Sequence, residues 1–339
     1  MNLPSDEFEF GDKIGVAEKN AVAEYARRLS SQGLPEIFSP EHLSHLTNIR
    51  LEAIYAMSNS QKSFYRRFDI PKRSGGSRKI AAPLPSLAFL QRWILDNILN
   101  LIPPHASAKA YRRGHSTFDN ARFHRKQKIV LKVDVKNFFG SIQEYNAFLI
   151  FKGLGYSKRL SKLLSMTSSL DGCLPQGAPT SGALANIYMR AFDEVIFIAC
   201  KEKKVRYTRY ADDLTFSGDD FDTNAQIKMV DKELSKIGLT VNVKKTRVLL
   251  PHVRQDVTGL VVNEKVSVPQ DFRRKLRQEC HFIQKFGIYG HAREVNAKNA
   301  RIRLEEVIGK LSYVKSIHKN ESYWNEAHAK MLEIRASLF

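Results

Sequence analysis

Residues 206–218, RYTRYADDLTFSG, read as two short strands around the polar turn Ala211-Asp212-Asp213. A strand end holds a carboxylate rigidly and still lets it face a cleft. Asp pairs also occupy ordinary turns and helix caps, so a Tyr-x-Asp-Asp string by itself is only suggestive. A second acidic strand end upstream decides between the two readings. The stretch KIVLKVDVKNFFGSI (128–142) is a buried strand by its alternating and branched residues; it carries Asp134 and runs into a turn at Gly140. Three crowded carboxylates repel one another unless cations lie among them, and hard oxygen ligands favour Mg2+. Two such ions roughly 4 Å apart activate a hydroxyl and neutralise a departing pyrophosphate in an in-line displacement. A metal site at Asp134, Asp212 and Asp213 is therefore expected.

The neighbouring segments are compatible with that chemistry without demanding it. LPQGAPTSGALAN (174–186) has a Pro-Gln-Gly turn leading into a helix of small residues, where backbone approaches a ligand closely and N–H groups are free. An ordinary turn and packed helix explains it equally well. Lys72, Arg73, Arg78 and Lys79 bracket Gly75-Gly76 within FYRRFDIPKRSGGSRKIAAP, a hairpin with a basic tip. That tip suits a triphosphate or is a solvated turn. Phe138 and Phe139 are either core or one of them faces the sugar of a nucleotide.

Elsewhere, residues 14–30 and 41–57 have helical spacing and form a small helical cap. LAFLQRWILDNILNLI is an amphipathic helix closed by Pro103 and Pro104. TNAQIKMVDKELSKI is another helix, while 238–250 and 257–268 are further strands. From Gln270 onward the chain is helical and basic, with Arg273, Arg274, Lys275 and Arg277 on one segment. The class is α+β, a central sheet holding acidic turns between helical lobes.

The 339 residues are 43% hydrophobic, enough for a folded core. Lys plus Arg number 54 against 35 Asp plus Glu, a net charge of +19 that favours a polyanionic partner. Membrane surfaces are anionic too, but no apolar stretch approaches the roughly 20 residues of a span. The opening MNLPSDEFEFGDK is acidic and lacks the order of a secretory signal. Cys173, Cys200 and Cys280 are too scattered for a disulfide frame or zinc site and read as small buried hydrophobes in a reducing cytoplasm.

In chain order, these segments resemble reverse transcriptases of the bacterial retron type. Arg78-Lys79-Ile80 resembles the fingers motif, and VDVKNFF the palm motif with the first catalytic Asp. LPQGAPTS is similar to the nucleotide-binding motif and YADD to the second acidic motif. GLTVNVKKT resembles the next palm motif, with Lys244 or Lys245 facing phosphate. Asn120-Ala121-Arg122-Phe123-His124 fits the retron pattern Asn-Ala-x-x-His, and Val257-Thr258-Gly259 fits its Val-Thr-Gly triplet. The likeness runs from about Phe64 to Gly259, with a weaker echo at 308–314.

The resemblance implies a right-hand polymerase fold of fingers, palm and thumb, the palm an antiparallel sheet flanked by helices. The implied division is a helical extension over 1–60, fingers and palm over 61–262, and a basic thumb over 263–339. Asp134 and Asp212 would bind two Mg2+ ions with the Val135 carbonyl, Asp213 lying more peripherally. Phe139 would exclude ribonucleotides, while Lys72, Arg78, Gln176 and Lys244 would hold the incoming deoxynucleotide. Asn120, His124, Val257, Thr258, Gly259 and the basic thumb helix would contact RNA. The implied partner is a structured non-coding RNA, both template and primer, copied from a guanosine 2′-hydroxyl into a branched RNA–DNA hybrid. A separately encoded effector in anti-phage defence is implied as well. The rival readings are another bacterial reverse transcriptase and a non-catalytic RNA-binding protein of polymerase fold; all three Asp residues speak against the latter.

Overall fold

The computed structural model describes residues 16–71, 75–295, 297 and 299–338. The acidic opening stretch, and Lys72 and Arg73 of the hairpin tip, lie outside the described residues. The chain begins with helices α1 (Val16–Ser30), α2 (Pro40–Thr47) and α3 (Leu51–Asn59), then strands β1 (Tyr65–Pro71) and β2 (Ser77–Pro83). Helices α4 (Pro85–Asn97) and α5 (Thr117–Arg122) lead to β3 (Ile129–Asp134). Then come α6 (Phe138–Ser141), α7 (Glu144–Gly153), α8 (Lys158–Thr167), α9 (Ser181–Tyr188) and α10 (Arg190–Glu202). Strands β4 (Arg206–Tyr210) and β5 (Asp213–Gly218) precede α11 (Thr223–Lys236) and the short strands β6 (Arg247–Leu249), β7 (Asp256–Val257) and β8 (Leu260–Val261). Helices α12 (Gln270–Glu294), α13 (Ala300–Ile317) and α14 (Ser322–Leu338) complete the described chain.

These elements form two compact units. The first comprises the described residues of Met1–Ala106, Val135–Glu194 and Asp231–Val241. In it β1 and β2 pair antiparallel from Tyr65↔Pro83 to Pro71↔Ser77, the hairpin expected from the Gly-Gly turn. Gln91 of α4 is fully buried and donates to the Tyr65 hydroxyl and the Thr167 carbonyl, which fastens the hairpin root and the end of α8 to one side chain. A buried amide so satisfied costs little and fixes its neighbours' register.

The second unit comprises Ser107–Asp134, Val195–Val230 and the described residues of Asn242–Phe339. Its sheet has the order β4-β5-β3-β6, with each adjacent pair antiparallel. Hydrophobic side chains of this sheet (Val130, Leu131, Val133, Leu214, Phe216) are buried, which explains the apolar runs that the acidic turns interrupt. The thumb helices α12, α13 and α14 pack around Leu276, Ile283, Leu311 and Trp324, the last fully buried.

Four expectations need correction. The helix expected over 41–57 is two helices, because Asn48 takes a left-handed conformation (φ 53°) and its N–H caps α2 on the His45 carbonyl. Gly140 lies within the helical turn α6 rather than in an open turn. The strand expected over 238–250 is broken by a 3-10 turn at Val243–Lys245, leaving only β6. The strand expected over 257–268 is the small hairpin β7–β8, whose turn residues Thr258 and Gly259 have φ of 49° and 82°. Such angles suit glycine and penalise most other residues. Among the described residues, no helix is long and apolar enough to cross a membrane.

Candidate active site

Strand register brings the acidic turns together. Asp134, the last residue of β3, is the cross-strand partner of Asp213, the first of β5. Tyr210 of β4 pairs with Asp213, so Ala211 and Asp212 form a two-residue turn, with Ala211 at φ 58°. Asp134 is only 6% exposed. Its Oδ1 accepts from Asn242 Nδ2 at 2.8 Å and its Oδ2 from Lys245 Nζ at 2.8 Å. The Asn242 N–H also donates to the Asp134 carbonyl at 2.7 Å. The 3-10 turn therefore aims Lys245 at the carboxylates, while Lys244, the residue expected to face phosphate, makes no such contact through its ammonium among the contacts described.

The electrostatics are those of a cation site. Burial, and then the Asp212 carboxylate, push Asp213 up to about 6; Asp134 adds to this, while Lys132 and Lys245 oppose it. The hydrogen bond to Asp134 holds Lys245 above its usual range, helped by the charges of Asp134, Asp212 and Asp213. Negative charge concentrated beside an ammonium that answers it fits a divalent cation. Among the described residues, no group of three or more His, Cys, Asp or Glu forms a ready-made metal cage. Mg2+ does not require one, since it keeps waters and takes one or two carboxylates plus substrate phosphates.

The nucleotide-facing candidates lie in the first unit. The Val135 backbone bridges Val241. Phe138 is buried and meets Phe139 edge-on at 5.3 Å, so Phe139 is the ring with exposed surface. The Gln176 carbonyl accepts from the Ala81 N–H at 2.9 Å, which fixes the Pro-Gln-Gly turn to β2. Gly177 has φ 128°, and a Cβ there would sit 2.8 Å from the Ala81 carbonyl oxygen. Only glycine permits that approach. Arg78 is exposed on β2.

The residues expected to contact RNA divide. Asn120 and His124 are fully buried, so neither presents a side chain to a partner. His124 Nδ1 and Nε2 each lie 2.7 Å from a hydroxyl, Ser217 Oγ and Thr208 Oγ1, and so tie α5 to β5 and β4. Val257 is buried too, and Thr258 donates its hydroxyl to the Thr117 carbonyl at 3.2 Å. The two retron-like motifs thus fasten to each other and to the sheet, with Gly259 exposed at the turn. In α12, Arg273 donates Nε to the Val268 carbonyl and lies 4.0 Å from Glu321. Arg277 stacks on Tyr323 and Trp324, 5.2 and 4.8 Å from their ring centroids. Two of the four cations are thereby engaged within the thumb, and Arg274 and Lys275 are exposed. Asn242 was not expected in the site; its only signal in sequence was its place in TVNVKKT.

Burial, with Arg206 and Lys109 nearby, holds His124 down to about 3. An unfolded histidine titrates near 6.5, so below that pH the unfolded chain binds a proton that the folded chain refuses. The stability is complete above about 6.5 and falls by about 1.4 kcal/mol per pH unit on the way down to about 3. His124→Gln lacks this titration. Urea unfolding should therefore show its stability deficit relative to the parent shrinking by about 2 kcal/mol from pH 7 to pH 5. A constant deficit would show that His124 protonates normally in the fold.

A strand-borne Asp opposite an Asp-Asp hairpin, together with a Lys at the carboxylates, defines a nucleotidyl-transfer site of polymerase kind. Residues 70–285 match the family described as Reverse transcriptase (RNA-dependent DNA polymerase), and the chain belongs to that family. Its relatives narrow the type. It is 31% identical to Retron Ec86 reverse transcriptase of Escherichia coli over 303 residues, 87% of this chain and 90% of that one. It is 31% identical to Retron Mx162 reverse transcriptase of Myxococcus xanthus, covering 78% of this chain and 63% of that one. Retron Mx65 reverse transcriptase, also from Myxococcus xanthus, is 32% identical over 76% of this chain and 62% of its own length. The chain is a reverse transcriptase of the retron type, an RNA-directed DNA polymerase.

Proposed function

We propose that this enzyme copies part of a structured non-coding RNA into single-stranded DNA, starting from a 2′-hydroxyl of that RNA and yielding a branched RNA–DNA hybrid. The pairing of Asp134 with Asp213 at adjoining strand ends, with Lys245 on Asp134, is the observation that carries the polymerase chemistry. Kinship with retron enzymes supports the choice of template and primer. Asp134, Asp212, Asp213 and the Val135 carbonyl would hold two Mg2+ ions, which when bound supply charge neutralisation and hydroxyl activation. Lys245 keeps Asp134 ionised and is placed to exchange that partner for a phosphate oxygen.

Phe139 stands five residues after Asp134 and excludes ribonucleotides; Arg78, Lys72 and Gln176 hold the deoxynucleotide, with Lys244 at its phosphates. Residues 1–60 are the N-terminal extension, 61–262 the fingers and palm, and 263–339 the thumb. Thr258, Gly259, Arg274 and Lys275 remain as RNA contacts, acting on phosphates and shape because RNA duplexes hide their base edges. The reaction belongs to the cytoplasm and serves anti-phage defence with a separately encoded effector. The direct test supplies purified protein with Mg2+, deoxynucleotides and an RNA template annealed to a DNA primer. Extension to the template end is expected, and a folded protein that leaves the primer untouched would overturn the proposal.

A further inference from the structure

The face of α5 turned away from Asn120 and His124 is exposed, basic and aromatic. Arg122, Phe123 and Arg125 are exposed there, and Tyr111, with φ 55°, is 53% exposed. Arg206 is exposed as well, and its Nη1 donates to the Phe123 carbonyl at 2.9 Å, fixing the turn that carries the ring. Lys109 Nζ lies over the Phe123 ring, 5.6 Å from its centroid, and Phe123 is 44% exposed. Burial and the like charges of Arg112 and Arg122 push the Lys109 ammonium down, while Asp119 opposes them. Asp119 itself is committed to the Ser116 capping box at the start of α5 and lies 3.4 Å from Arg122. Two arginines therefore crowd a lysine, with one engaged carboxylate to offset them.

Like charges packed this closely destabilise the fold unless a polyanion completes them. Phosphates would suffice for that, but exposed rings beside the cations add a second requirement. Aromatic faces stack on unpaired bases, whereas a duplex keeps its base faces to itself. We propose that Tyr111, Arg112, Arg122, Phe123 and Arg125 form a binding surface for unpaired nucleotides of RNA, with Phe123 as the stacking platform and the arginines on the flanking phosphates. Asn120 and His124 act as positioning residues that hold this face outward. The inference rests on the reading of RNA as partner and names which part of the RNA this face takes.

The test is equilibrium binding of the full chain to three labelled probes: a short single-stranded RNA, the same strand annealed to its complement, and phosphatidylserine vesicles. Phe123→Ala should weaken single-strand binding about tenfold and leave duplex binding nearly unchanged. Phe123→Trp, which keeps the bulk and enlarges the face, should bind the single strand at least as well as the parent. Arg122→Gln should weaken both RNAs and flatten the salt dependence by about one unit of slope. Single-strand affinity unchanged in Phe123→Ala, or lost equally in Phe123→Trp, would overturn the stacking assignment. So would Phe123-dependent binding to vesicles without such binding to RNA. Primer extension by the same variants on a generic template should stay at the parental rate. A parent chain that binds single strands as expected but extends no primer would refute the polymerase reading while supporting this surface.

Discussion

Asp212→Asn should lower DNA synthesis on a primed RNA template by about a thousandfold while the protein stays folded. The substitution keeps the shape of the side chain and removes one negative charge from the turn between β4 and β5. Charge stabilisation of the transferring phosphoryl group is worth several kcal/mol, and about 1.4 kcal/mol is a factor of ten. The fold should tolerate the change, because Asp212 is one of the charges that push Asp213 above its usual range. Removing it relieves repulsion, so the melting midpoint should not fall. Parallel assays of extension and thermal unfolding check both halves. A folded Asp212→Asn protein that extends primers near the parental rate would remove Asp212 from the site.

Phe139→Ala should raise ribonucleotide incorporation relative to deoxyribonucleotide by about ten- to a hundredfold. Of the two adjacent rings, Phe138 is buried and Phe139 keeps exposed surface, so truncating Phe139 opens space without emptying the core. A ribose differs from deoxyribose by one hydroxyl, and steric exclusion is the means available to an apolar wall. Single-nucleotide incorporation with matched ribo- and deoxyribonucleotides gives the ratio directly. Unchanged selectivity with retained activity would make Phe139 a packing residue.

The sequence was most informative where local pattern and chemistry coincide. The strands around Asp134 and Asp212-Asp213, the Gly-Gly hairpin and the helical thumb were all visible, because apolar periodicity and turn residues act over a few positions. Side-chain direction was not visible in this way. Asn120 and His124 were found by pattern, yet their inward orientation depends on Thr208 and Ser217, which lie on strands distant in sequence. The choice of Lys245 over Lys244 depends on a single 3-10 turn that strand-like composition concealed. Arg273 and Arg277 looked like a phosphate-binding row, but Glu321 and Trp324 from the far end of the thumb engage them. Break points such as Asn48 escaped for the complementary reason. A residue tolerant of left-handed backbone can end a helix without interrupting its apolar spacing.

The central proposal, self-primed copying of a structured RNA, is tested most directly by the nucleic acid that co-purifies with the protein. Sequencing it before and after ribonuclease digestion, and again after treatment with a 2′–5′ debranching enzyme, reads the junction. The expected result is one single-stranded DNA, complementary to part of one RNA and joined through its 5′ end to an internal guanosine 2′-oxygen of that RNA. DNA with a free 5′ end and no junction released by debranching would contradict the proposal.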